Sequence, residues 1–136
     1  MKKLLLFGFL IFLAGCEIFS IGSSGKKVKT IEINQKSPMG AVYLFKTELD
    51  SSNIPAAAQI LASPDGKPYL AIERLELYDD VARVGRIIAG KPITSITADS
   101  VSPVSYKVSV EFNYIKKMLF TTHKIEELWF ITNYNE

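Results

Sequence analysis

The chain is nearly without cysteine and histidine: Cys16 and His123 stand alone among 136 residues. One thiol excludes an internal disulfide and any cysteine-based metal cluster. One imidazole leaves no zinc-ligand spacing, and no Gly-rich phosphate loop or nucleophile elbow is readable either. An excess of one charge is also missing. The formal net charge is +2; setting aside Lys2 and Lys3 of the N-terminal head leaves 16 minus 2 basic residues against 14 acidic ones. That balance argues against nucleic acid as a partner. A hydrophobic run of the roughly 20 residues needed to span a bilayer is lacking as well, since residues 4–14 make only about a dozen.

What stands at the N-terminus is a secretory signal: a positive head at Lys2 and Lys3, the apolar run broken only by Gly8, and Leu13-Ala14-Gly15-Cys16 to close it. The ending resembles the bacterial lipobox. That resemblance implies cleavage before Cys16, acylation of its thiol and a lipid bilayer as the partner it is held to. Two or more acyl chains make such an anchor stable without spanning the membrane. Glu17, where an Asp would signal inner-membrane retention, favours the outer membrane facing the periplasm. The expected organisation is a signal peptide over residues 1–15, a lipidated Cys16 with a flexible tether to residue 36, and one folded domain over residues 37–136. The Gly-Ser cluster at residues 21–25 suits a tether. Lys26, Lys27 and Lys29 suit the solvated leader of an edge strand over residues 28–34.

Ser37 is a good N-cap and Pro38 suits the first helical position, while Val42, Phe45 and Leu49 recur on one face. A short amphipathic helix is therefore predicted over residues 38–49. The polar break at residues 50–53 leads to an Ala-rich second helix over residues 54–62, which the turn Ser63-Pro64-Asp65-Gly66 ends. The third and longest helix is expected over residues 68–89, with the stripe Ala71, Leu75, Tyr78, Ala82, a possible bend at Gly85, and Gly90 and Pro92 closing it. From Ile93 the period becomes two. Tyr106, Val108, Val110, Phe112 and Tyr114 alternate with Lys107, Ser109, Glu111 and Asn113, the clearest strand of the chain. A turn at Lys116-Lys117 and another at His123-Lys124 lead to a last strand around residues 127–134.

Three helices before an antiparallel sheet make an α+β chain. From Ser37 to Tyr134 it resembles the nuclear transport factor 2-like (cystatin-like) superfamily, and in particular small lipoproteins whose first helix reads Ser-Pro-x-x-Ala-Val-x-x-Phe-x-x-x-Leu. Ser37, Pro38, Ala41, Val42, Phe45 and Leu49 occupy those positions, followed by the polar turn, by Ala56-Ala57-Ala58 and by the closing Leu128-Trp129-Phe130-Ile131. The resemblance implies a cone in which three helices pack on a curved antiparallel sheet, with a pocket at the open end. Some members of the superfamily are isomerases or dehydratases that use an Asp or a His-Asp pair inside the cone.

Two functions are weighed against that frame. The first is a non-catalytic domain that binds a small apolar ligand, a peptide or an envelope protein, with no cofactor and no metal. The second is a pocket enzyme in which Asp99 acts as base and Tyr78 or Tyr106 donates to an oxyanion. His123, beside Lys124 at a predicted turn, reads as a surface residue. Trp129 is a candidate ligand contact, although an aromatic strand is more often core. Asp79 and Asp80 are adjacent on a helix, point in different directions and read as a solvated face rather than a metal site.

Overall fold

The structure is a computed structural model that describes residues 30–136. The predicted signal peptide, Cys16 and most of the predicted tether lie outside the described residues. Helix α1, Pro38–Asp50, starts as its sequence predicts: Ser37 is extended and its hydroxyl accepts from Gly40 N at 3.0 Å, with Pro38 at the first helical position. Its buried face carries Ala41, Val42, Phe45 and Leu49. After a turn with Ser52 in the left-handed region, the Asn53 side chain accepts from Ala56 N at 3.4 Å and caps α2, Ile54–Gln59.

Helix α2 ends three residues before the predicted limit at Ala62. Residues 60–62 leave the helix and lie parallel to the last strand: Ile131 N donates to Ile60 O and Ala62 N donates to Ile131 O, each at 2.9 Å. An edge strand left bare would expose unpaired N–H groups, and this segment satisfies them.

The predicted long helix is two helices, α3 Ala71–Glu76 and α4 Tyr78–Ile88. The break falls at Leu77, whose N–H reaches back only three residues to Arg74 O, 3.1 Å, tightening the last turn. Gly85 does not bend or end α4; it is buried in it, facing Leu49 of α1. Consequently the predicted stripe does not hold together. Ala71 and Leu75 are exposed, and α4 instead buries Val81, Val84, Gly85 and Ile88.

Four strands follow as an antiparallel meander in the order β1 Ile93–Ser102, β2 Ser105–Phe112, β3 Lys116–Ile125, β4 Leu128–Asn135. The alternation of β2 is as predicted up to Phe112: Val108, Val110 and Phe112 are buried, whereas Lys107 and Ser109 are exposed; Asn113 and Tyr114, predicted to continue the strand, fall in the turn after it, and Tyr114 is exposed. Met118, Phe120 and Thr122 of β3 are buried beside them. The β2–β3 turn lies at residues 113–115, so Lys116 and Lys117 begin β3 rather than form the turn. Strand β3 also continues through His123 and Lys124, which places His123 within a strand instead of a loop.

A register shift at Thr121/Thr122 changes which residues of β4 face inward. Trp129 and Ile131 are buried before it, and beyond it Tyr134 stacks on Phe45 with ring centres 6.2 Å apart. The predicted edge strand over residues 28–34 is not formed in its described part, residues 30–34. Gln35 takes that place with one residue: its carbonyl accepts from Trp129 N at 2.7 Å and its side-chain amide donates to Trp129 O at 3.0 Å. Helix α1 lies against all four strands, and α2 and α4 pack on α1. The described residues thus form an α+β fold of four helices and a four-stranded antiparallel sheet.

Candidate functional site

The residues singled out in the sequence do not converge. Asp99 is exposed on β1 and stands opposite Lys107 on β2, while its neighbours Ile96 and Ala98 pack against the core. Alternation therefore puts the carboxylate on the outward face of the sheet. The expectation of a pocket base at Asp99 is corrected by that parity. Tyr106 and Trp129 meet edge to face at 5.3 Å and belong to the core packing. The phenol expected as an oxyanion donor is thus engaged in aromatic packing on the other face from Asp99.

His123 is half-buried, with Ser105 and Phe130 as its cross-strand neighbours. Its ring lies against Gly66, where a Cβ would come within 3.2 Å of it. Gly66 is needed twice, for that close approach and for its φ of 74°. Asp79 and Asp80 are exposed in the first turn of α4, where the helix dipole favours them, and Asp80 accepts from Arg83 at 3.0 Å. Among the described residues no three His, Cys, Asp or Glu side chains are grouped to hold a metal ion, and no helix is long and apolar enough to cross a membrane.

Recesses open on the surface of the described residues, and Asp99, Tyr106 and Trp129 do not line the three that follow. One of these, about 460 Å3, is bounded by Pro55 and Gln59 of α2, Ala71, Ile72, Arg74 and Leu75 of α3, and Tyr78 of α4. Its form follows from α3, a six-residue helix that buries none of its side chains. Glu73 holds the helix start by accepting from Leu70 N at 2.7 Å. Three large apolar side chains crowd this short segment in the open: Leu70 is 66 % exposed, Ile72 65 % and Leu75 55 %. Clustered exposure of that kind marks an interaction site more often than scattered exposure does. Arg74 is half-buried at the edge of the groove, and among the described residues it makes no ion pair. The sequence places Leu75 on the apolar stripe of one long helix, and only the break at Leu77 leaves it, with Ile72, facing outward.

The second recess, about 320 Å3, is lined by Tyr43, Lys46, Thr47, Asp50 and residues 90–93. Its charges are engaged in holding two elements together. The buried Lys46 ammonium donates to both Asp50 oxygens, at 2.5 and 2.6 Å, and Asp50 also accepts from Gly90 N at 2.7 Å. The third, about 280 Å3, lies where Arg83, Val84 and Ile87 of α4 meet Met118, Tyr134, Asn135 and Glu136. Burial pushes the Tyr134 hydroxyl above its ordinary pKa; Asp80 adds to that rise, Arg83 opposes it and Tyr69 adds again.

No protein-family model matches the chain, and no curated protein is significantly similar to it.

Proposed function

We propose that this chain is a lipid-anchored protein of the cell envelope whose α+β domain, a cone of the nuclear transport factor 2-like kind, binds a ligand without transforming it. Its anchor is Cys16, and the outer membrane facing the periplasm is its site. The observation that carries the binding role is the groove between α2, α3 and α4, where exposed Ile72 and Leu75 lie beside Arg74 and Tyr78. An apolar chain or side chain laid along Pro55, Ile72 and Leu75 is the ligand this surface suits, with an anionic end accepting hydrogen bonds from Arg74 and Tyr78. Covering the open parts of two such aliphatic side chains contributes about 1 to 1.5 kcal/mol each. A charge-assisted hydrogen bond adds about 1.5 to 3 kcal/mol. Association costs offset much of that sum, which places affinity in the millimolar-to-micromolar range.

The expected outcome is that decanoate perturbs the backbone amide resonances of α3 and Tyr78, that decyltrimethylammonium binds more weakly, and that Arg74→Glu reverses the preference. Perturbations scattered away from the groove, or an unchanged preference in Arg74→Glu, would reject the reading. Asp99, on the outward face of the sheet, does not line this groove.

A further inference from the structure

The β2–β3 turn departs most from what a solvated hairpin needs. Tyr114 and Ile115 are the most exposed large apolar residues described, at 81 % and 83 %. They sit side by side at the tip, although Asn113 and Tyr114 both hold positive φ, 52° and 62°. Asn accepts that region readily and Gly would be the usual neighbour, whereas an aromatic side chain is strained there. The tip is not loose. Asn113 N donates to Pro92 O at 2.9 Å, Tyr114 N to the Thr94 hydroxyl at 3.1 Å and Ile115 N to Phe112 O at 3.1 Å. The backbone is satisfied and pinned to the start of β1, and the two side chains stand clear of it.

We propose that this tip is an interfacial contact, with Tyr114 and Ile115 entering the surface of the lipid bilayer to which the chain is anchored. The inference rests on the reading of Cys16 as a lipid anchor. Tyr is favoured at membrane interfaces because its ring is apolar and its hydroxyl remains wet. Lys116 and Lys117 follow directly. Lys116 pairs with Glu136 at 2.5 Å, but Lys117 meets Glu111 only at 3.8 Å and its side chain is 76 % exposed, so its ammonium is open to a phosphate. Lys91, next to Pro92, donates to Ile87 O at the end of α4.

Reach is sufficient. Gln35 lies beside Trp129, at the end of the sheet opposite the β2–β3 turn, so it and the tip are separated by about the length of β2, roughly 25 Å. Residues 16–30 extend to as much as about 50 Å. An anchor at Cys16 therefore lets the domain turn its tip to the same bilayer.

The test uses the full chain with Ile115→Trp, reconstituted in vesicles of phosphatidylethanolamine and phosphatidylglycerol that carry brominated acyl chains. Native Trp129 is buried and serves as the internal reference. The introduced indole is expected to shift to the blue and to be quenched by the brominated chains. Mass analysis of the N-terminal peptide reports separately on Cys16. Water-like emission without quenching, on a chain whose Cys16 is acylated, overturns the contact and leaves the anchor standing. If Cys16 carries no lipid the anchor reading fails, and the same quenching with excess vesicles still decides whether the tip inserts. A blue shift without quenching by lipid means that protein covers the tip, and also overturns the proposal. Adding Tyr114→Gly relieves the strained φ, so the melting temperature is expected to rise by a few degrees while quenching falls. Unchanged quenching in that variant would assign Tyr114 no part in the contact.

Discussion

Tyr134 concentrates several of the forces that act on single residues here. Its ring packs against Phe45 and Phe120, and the residue lines a recess shared with Arg83. Because burial raises its pKa above 10.0, the protonated form is the one the fold favours. Its contribution to stability is complete below pH 10.0 and is lost as pH rises through the higher folded value. Tyr69 is raised in the same direction, first by burial and then by Glu73 and Asp65. The expected outcome is a denaturation midpoint that falls above pH 10.0 in the wild-type chain and falls less steeply in Tyr134→Phe; parallel curves would refute this assignment. At this scale Ser37 was legible, because a cap acts within four residues. His123 was not, because no Gly or Pro marked where β3 ended, and Asp99 was not, because the loose alternation of β1 left its parity open.

Helices α1 and α4 illustrate how elements are joined. Their C-terminal ends meet at Asp50, which binds the Lys46 ammonium and the Gly90 amide. Removing one partner of such a pair leaves a buried charge, whereas replacing the charge by a similar apolar volume does not. Asp50→Asn is therefore expected to lose about 1 to 3 kcal/mol, discounted because Asp50 is partly open to water, and Lys46→Met to lose less. Urea denaturation of the two variants checks the order, and a greater loss in Lys46→Met would contradict it. Helix α1 could be read from sequence because its cap, its Pro and its apolar spacing agree. The segment from Ala71 to Ile88 could not, because every residue across the break at Leu77 is a tolerable helix former. The tightened turn in which Leu77 N donates to Arg74 O, which propensity does not mark, ends α3.

The whole fold is closed by a short segment that carries no regular structure. Residues 32–35 pass between the start of α1 and the edge of β4, where Gln35 pairs with Trp129. A Cβ on Gly40 would lie 2.6 Å from Glu32 O and closer still to Asn34 O, both of them rigid backbone atoms. Gly40→Ala is expected to lose about 1 to 3 kcal/mol by forcing this segment off the helix. Gly85→Ala is the matched control, since its Cβ would meet only the Leu49 side chain at an ordinary 3.5 Å. It is expected to be neutral or to gain up to about 1 kcal/mol from helix propensity. Equal losses in the two variants, read as thermal midpoints, would show that the close approach at Gly40 is not what matters.

Local chemistry determined much of this protein without help from the fold: the signal-like head ending at Cys16, the capped first helix, the period-two pattern of β2 and the α+β order of elements. Each of those rests on interactions spanning a few residues or on a repeat that every register of the fold must respect. Tertiary structure alone decided the rest. The split of α3 from α4, the register shift that turns Tyr134 inward, the outward parity of Asp99 and the pairing of residues 60–62 with β4 depend on partners distant in sequence. The groove beside α3 is of this second kind, because Ile72 and Leu75 become surface only when the chain tightens at Leu77 and α4 takes the buried position.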